Sequence, residues 1–419
     1  MRRDHGLYPI LSVEEALAMV LGAFGPLDVE SIPILDALGR VLAEDVHAKG
    51  DIPPHANTAM DGYAVIAADT YGASQESPKS LRVIDNLAAG YVTDSAVMQG
   101  TAIRIMTGAP MPDGADAVIP FEDTHQEGDV VLLFAAVEAG ANVRFAGEDV
   151  RDGTKVLARG TPIRPQEIGM LAALGHSRVR VHRRPRVAIL ATGDELVDID
   201  APLTPGKIRN ANGYSNAAQV LKYCGAPLML GIARDNIDDL TSKIHAGLAQ
   251  GADLLLTSGG VSVGDFDVVK QVLVAEGEMT FWRVRMKPGK PLAFGRITAE
   301  VDGQSRTVPV LGMPGNPVSA MVSFELFVRP ALLTMLGYTE LAKPTVEAVL
   351  DDALDRKDDR RHYVRVRIEA RDGVYHAALT GEQGSGILNS MVLANGLAII
   401  PEDWTHAPAG ARVRAMFFD

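Results

Sequence analysis

The stretch Thr257-Ser258-Gly259-Gly260-Val261-Ser262-Val263-Gly264-Asp265-Phe266-Asp267 constrains the fold of this chain more than any other. It follows Ala252-Asp253-Leu254-Leu255-Leu256, a short apolar run of the kind that forms a strand buried on both faces of a parallel sheet. It leads into Asp267-Val268-Val269-Lys270-Gln271-Val272-Leu273, where apolar positions recur at helical spacing. The glycines therefore fall in a predicted strand-to-helix turn. There the backbone N–H groups lack partners and the helix dipole is positive, and missing side chains let a phosphate approach closely. Asp267 is placed to cap the helix and Asp265 lies in the turn. Ser258, Gly259, Gly260, Ser262 and Gly264 are thus candidate phosphate-binding residues, although a plain glycine turn with a capping aspartate fits the same letters.

The surrounding chain decides between these readings. From Arg186 the pattern alternates: a buried strand at 187–191, a helix at 213–223, a strand at 227–232 and a helix at 237–249, then the glycine stretch. Such alternation predicts a parallel sheet covered on both faces, and ligands of such sheets bind beyond the carboxyl ends of the strands. The unusual loops all fall at those ends. They are Thr192-Gly193-Asp194-Glu195, Arg234-Asp235-Asn236, the glycine stretch, and Gly312-Met313-Pro314-Gly315-Asn316-Pro317. In the last, Asn316 is the expected N-cap and Pro317 the first residue of a helix running through Phe327.

Asp194, Glu195, Asp235 and Asp267 at one sheet edge would repel one another unless some bind a cation or stay protonated. Oxygen-only ligation of this kind suits magnesium, with substrate phosphates completing the shell. Met286-Lys287-Pro288-Gly289-Lys290-Pro291 supplies the opposite charge: Lys287 and Lys290 sit in a loop stiffened by prolines and can be held toward an anion.

A chain of 419 residues is long for one core, so roughly two to four domains are expected. Ser12-Val13-Glu14-Glu15 has capping-box spacing ahead of a helix with Ala16, Leu17, Val20, Leu21 and Phe24 on one face. Residues 36–40 read as a turn of helix closed by glycine, and 41–46 as a strand. Pro53 to about Asn142 gives short strands at 81–84, 101–106, 115–119 and 130–134 between Gly, Pro and Asp turns, a small β domain. Two of its loops, 57–62 and 107–116, put Asp61 and Thr107 at strand boundaries. Residues 144–174, with Pro165 near a helix start and Gly175 at its end, return to the first region, so the β domain is expected as an insertion. From Tyr338, strands at 345–350, 363–370, 374–379, 397–401 and 412–417 predict a small barrel or sandwich. Gly384-Ser385-Gly386 precedes a helix at 387–395 that Gly396 should close. The expected division is 1–50 with 143–184, an inserted β domain at 51–142, an α/β domain at 185–337 and a C-terminal β-barrel at 338–419.

Charge and composition exclude several classes. A net charge of −13 argues against a general nucleic-acid binder, so any phosphate site must be built locally. No long uncharged apolar run predicts a membrane span, and no signal-like stretch follows Met1-Arg2-Arg3, which argues for the cytoplasm. The single cysteine, Cys224, cannot form an internal disulfide and is expected to be a small core residue.

At these loops the chain resembles the MoeA family of molybdopterin molybdenumtransferases and is similar to the C-terminal domain of gephyrin. The resemblance lies in Asn57-Thr58-Ala59-Met60-Asp61-Gly62-Tyr63-Ala64, residues 107–116, Ala191-Thr192-Gly193-Asp194-Glu195-Leu196, residues 257–267, 286–291 and 312–320. Thr58 stands where a serine is usual, and Asn210-Ala211-Asn212-Gly213 departs from the family's Asn-Ser-Asn run. The resemblance implies a four-domain α/β protein whose parallel-sheet domain binds molybdopterin and which forms a homodimer. It implies a reaction in which adenylylated molybdopterin and molybdate give molybdenum cofactor and AMP, with a divalent metal such as Mg2+. By motif, Asp61, Thr107 and Asp149 would act from the partner side of the cleft. Glu195, Asp235, Asp267, Lys287 and Lys290 would line the α/β side, with Pro314, Gly315, Asn316 and Pro317 beside them and Arg365 and Ser385 toward the cleft. Glu195, Asp235 and Asp267 would be the metal ligands, and contact with the pathway's adenylyltransferase is also expected. Two alternatives stay open: the adenylyl transfer step itself, and a gephyrin-like scaffold without catalysis.

Overall fold

The computed structural model describes residues 9–259, 271–272, 275, 277–301, 303–356 and 358–418. The chain divides into two compact units, one of Met1–Ser31, Gly39–Ala43 and Arg180–Asp419 and one of Ile32–Leu38 and Glu44–Val179.

The larger unit is built on a seven-stranded sheet in the order Ile10–Leu11, Gly277–Val284, Pro291–Val301, Gln304–Met313, Leu254–Ser258, Arg186–Thr192, Ala226–Ala233. The last four run parallel, as the alternating pattern requires. The sheet is nevertheless mixed: Pro291–Val301 pairs antiparallel with both Gly277–Val284 and Gln304–Met313, a hairpin extension absent from the sequence reading. Period-2 projection divides the buried strands between two cores. Val187, Ile189, Leu254 and Leu256 join one face with the helix Val13–Leu21 and residues of 318–335; Ala188, Leu190 and Leu255 face the helix Ile237–Ala249. The capping box at Ser12 forms, Glu15 N–H donating to Ser12 Oγ at 3.1 Å and Ser12 N–H to Glu15 Oε2 at 2.8 Å.

Three local expectations change. The helix from Pro317 continues past Phe327 to Met335, with a π-turn at Phe324–Val328 just ahead of Pro330. Pro330 cannot donate to the helical ladder, and the loosened turn accommodates the missing bond. This helix is apolar enough to cross a membrane by length and composition, but 78% of it is buried inside the protein, as a core helix should be. Residues 41–46 are not one strand: Leu42 makes an isolated bridge to Val181, and only Val46–His47 pairs further, with Lys155–Leu157. Cys224 is no core residue; it is half-buried in the turn after the helix Ala211–Lys222, with φ +58°.

The C-terminal strands close into a barrel: Arg361–Arg371, Val374–Leu379, Thr345–Leu350, Arg412–Phe417 and Gly396–Ile400, the last pairing back to the first. Ala348, Val364, Val366, Ile368, Ala377, Ala398 and Ala415 fill it. The helix there is Leu388–Leu393, and Gly396 does not close it but opens a strand, where a Cβ would lie 2.4 Å from Met416 O.

The smaller unit carries a six-stranded sheet in the order Ala117–Pro120, Gly62–Val65, Thr101–Ile105, Lys79–Leu87, Val130–Leu133, Thr124–Glu127. Tyr63 and Val65 enter one core and Ala64 the other, so this strand is buried on both faces. The helix Pro165–Ala173 has Pro165 in its first turn, and buried Glu167 accepts from Arg164 Nη2 at 2.7 Å and Arg164 N–H at 2.8 Å.

Candidate functional site

A cavity of about 1180 Å³ opens in the larger unit, where the parallel strands end. Its floor follows from close backbone packing. Gly259, with φ +93°, leaves the strand Leu254–Ser258 so near Thr192 that a Cβ there would lie 2.8 Å from Thr192 O. Gly193, with φ +139°, lies against the Glu195 carboxylate, 2.4 Å from where a Cβ would stand. Only glycine fits either place. Glu195 and Asp235 line this side. Asp194 is outside the cavity lining: its Oδ1 accepts the Asp235 N–H at 3.3 Å and its carbonyl accepts from Lys207. Ser258 is buried, its Oγ without a hydrogen-bond partner among the described residues.

Pro314, Gly315 and Asn316 form the next wall. Asn316 holds the N-cap position but its side chain makes no capping hydrogen bond. The Val318 N–H donates instead to Ser385 O at 3.1 Å, so the glycine loop of the barrel caps this helix. Asn212 Nδ2 donates to Gly315 O at 2.7 Å and fixes the loop from the other side. Pro317 stands behind this wall as the first helical residue.

Opposite lies the cationic wall. Met286–Lys287 pairs in parallel with Arg361 and His362, so the lysine loop is an added strand of the barrel sheet. Gly289, φ +102°, lets the loop turn where a Cβ would meet Ser323 Oγ at 2.7 Å. Lys287 and Lys290 both line the cavity, and Lys290 has no ion-pair partner among the described residues. Among the described residues Arg365 is the largest fully buried side chain; its guanidinium donates to Ser390 Oγ, Gln383 O, Glu382 O and Gly384 O at 2.9–3.2 Å. Burial, uncompensated by any carboxylate, pushes it down to about 10, so it stays charged at neutral pH. It shapes the Gln383–Ser385 loop and leaves a positive charge in the wall.

The cavity is therefore polarised, with Glu195 and Asp235 at the strand ends and an excess of cations on the barrel side, where Asp355, beside His406, is the one lining carboxylate among the described residues. Glu195, Asp235, Gly259, Lys287, Lys290, Pro314, Gly315, Asn316, Arg365 and Ser385 meet in it; Asp194, Ser258 and Pro317 support it from behind. Gly260, Ser262, Gly264 and Asp267, with the phosphate turn and the capping role proposed for Asp267, lie outside the described residues. Asp61, Thr107 and Asp149 belong to the smaller unit. There Thr107 donates its N–H and its hydroxyl to Asp61 Oδ1, each at 2.7 Å. Thr107 N–H first and its hydroxyl second hold the Asp61 carboxyl below its usual range. Thr58, fully buried, uses its hydroxyl on Met60 O at 2.5 Å, and its backbone ties the two loops together through Ala109 O and Gly108 N–H. Asp149 is exposed, its N–H bonded to Ile52 O at 3.0 Å.

Sequence reasoning missed Asp355, Arg360, His362 and Gln383, all lining residues from the barrel. Arg356-Lys357-Asp358-Asp359-Arg360 reads as a solvated charge run, and only the strand pairing at Lys287 brings it to the cavity.

Three family models match the chain: the MoeA N-terminal region (domain I and II) over 11–175, a probable molybdopterin binding domain over 188–334, and the MoeA C-terminal region (domain IV) over 347–418. A molybdopterin molybdenumtransferase of a Nostoc species is 37% identical over 98% of this chain and 94% of its own length. Molybdopterin molybdenumtransferase 2 of Mycobacterium tuberculosis is 36% identical over 96% and 97%. The crystal structure of a molybdopterin biosynthesis moeA protein from Pyrococcus horikoshii superposes with a TM-score of 0.81 at 33% identity, covering 98% of this chain and 100% of that one.

Proposed function

This chain belongs to the MoeA family, and on that premise we propose that it is a molybdopterin molybdenumtransferase, which takes adenylylated molybdopterin and molybdate to molybdenum cofactor and AMP. The observation that carries the reading is the polarised cavity at the strand ends, where a phosphate-bearing substrate meets cations on one side and carboxylates on the other.

Lys287, Lys290 and the charge of Arg365 favour the anionic part of the substrate and the negative charge that grows on AMP as it leaves. Gly259 and the Pro314-Gly315-Asn316 loop let the backbone approach the ligand. Glu195 and Asp235 are two carboxylates facing one space, and this donor set fits magnesium, which binds through one or two carboxylates plus substrate phosphates. Bound there, Mg2+ would neutralise phosphate charge. Asp267, the third expected ligand, lies outside the described residues. The homodimer stays part of the proposal, with Asp61, Thr107 and Asp149 of one copy serving the cavity of the other. So do the four domain limits given above, a contact with the pathway's adenylyltransferase and a cytoplasmic location.

The test is direct. Purified protein with adenylylated molybdopterin and Mg2+ should release AMP at a rate that depends on molybdate; AMP release indifferent to molybdate would overturn the assignment and favour a simple hydrolase.

A further inference from the structure

The loop before the strand Arg361–Arg371 carries a small ionic assembly that faces the cavity. Asp358 is its centre. Its Oδ2 accepts from Arg360 Nη2 at 2.7 Å and lies 3.8 Å from Lys287 Nζ; its Oδ1 lies 2.9 Å from His362 Nε2 and accepts the Arg360 N–H at 3.2 Å. The loop backbone is fixed from behind by buried Arg356, which donates to the carbonyls of Pro401, Asp358 and Arg360. Burial raises the Asp358 carboxyl, but hydrogen bonds from Arg360 and His362 and their charges outweigh it and hold the group well below the usual carboxylate range. Burial also lowers His362, against the pull of Asp358. One carboxylate is thus shared by two permanent cations, Lys287 and Arg360. The assembly keeps a positive excess, and Arg360, Lys287 and His362 all line the cavity. One Nη2 bond to Asp358 leaves most of the Arg360 fork for a ligand.

We propose that Arg360 is a further anion-binding residue of the cavity, contributed by the barrel, and that Asp358 is the positioning residue that holds Arg360 and Lys287 in place for the phosphate of the substrate. The proposal rests on the transferase reading of the cavity. Arginine suits this place because its planar fork can take two oxygens of one phosphate, while Lys287 and Lys290 act as point charges. Asp358 keeps the two neighbouring cations from splaying apart in the free enzyme, so that less ordering is left for the bound state.

The experiment compares Arg360→Ala, Arg360→Lys, Asp358→Asn, the double variant and Lys290→Ala. AMP affinity is read by titration calorimetry and KM and kcat by AMP release, after thermal unfolding has checked each fold. Arg360→Ala should weaken AMP binding and raise KM about tenfold or more, with kcat changed less. Arg360→Lys should recover part of the loss. Asp358→Asn should weaken binding by itself yet add little to Arg360→Ala, because it acts through the same residue. If Lys290→Ala weakens AMP binding while Arg360→Ala leaves it unchanged, the cavity reading stands and this inference falls. If neither variant changes AMP binding or KM, the cavity reading itself has failed. Full additivity of Asp358→Asn with Arg360→Ala would overturn the positioning role.

Discussion

Thr107 gives both of its donors, the backbone N–H and the hydroxyl, to one oxygen of Asp61, at 2.7 Å each. A carboxylate bound in this way is ionised at neutral pH and cannot easily turn, so Asp61 is presented as a fixed negative charge at the head of the strand Gly62–Val65.

Replacing Thr107 by Val removes the hydroxyl and keeps the N–H. The Asp61 carboxyl should then titrate higher than in the parent but still below its ordinary range, because the larger of its two causes persists. Carboxyl-detected NMR titration reads this; identical titration in the two proteins would mean the hydroxyl bond is not formed in solution.

Glu167 makes a linkage prediction. The Arg164 side chain, opposed by burial and helped by the Arg164 N–H, takes its pKa down to about 2. A folded pKa below the unfolded value means that the stabilisation is complete above about 4.5 and is lost as pH falls toward 2. Glu167→Gln should lower stability by about 1 kcal/mol at pH 7, as loss of a capping interaction does, and the difference from the parent should shrink in acid. Denaturant melts at pH 7 and pH 3 test it; a constant difference would refute the linkage.

Gly289→Ala puts a Cβ at φ +102°, 2.7 Å from Ser323 Oγ. Strain of about 1–3 kcal/mol at that residue should displace Lys287 and Lys290 and raise KM for the adenylylated substrate. Circular dichroism should be unaltered; an unchanged KM would show that the lysines do not depend on this turn.

The proposed homodimer predicts complementation. Asp61→Ala and Asp235→Asn homodimers should both be poor, whereas a verified heterodimer of the two carries one intact site and should recover a substantial part of AMP release. No recovery would place both residues' action within one subunit.

Much of this could be read from the sequence where local signals agree. The helix Ile237–Ala249 lies where its apolar spacing puts it, with Asn236 accepting from Asp239 N–H, and the strand around residues 187–191 is buried on both faces as a parallel strand should be. The hairpin Pro291–Val301 with Gln304–Met313 does not follow from the β–α alternation, although Arg296, Thr298 and Glu300 lie exposed between buried Gly295, Ile297 and Ala299 as in any half-buried strand. In the site, both lysines were legible because each sits beside Pro or Gly, and the carboxylates because each closely follows the end of an apolar strand. Arg360 and His362 were not, because their place depends on a two-residue parallel pairing between segments far apart in sequence, which no local pattern encodes.

That short pairing has a kinetic consequence. The amides that join Met286–Lys287 to Arg361 and His362 belong to the barrel's edge as much as to the sheet, so a partial opening of the barrel frees the lysine loop while the central strands Arg186–Thr192 and Leu254–Ser258 remain closed. In a hydrogen-exchange profile the loop amides should follow the barrel's protection and not the sheet's. A denaturant concentration that opens the barrel should then silence the enzyme while the central strands are still protected, because the charge that meets the substrate is tied to the barrel's edge.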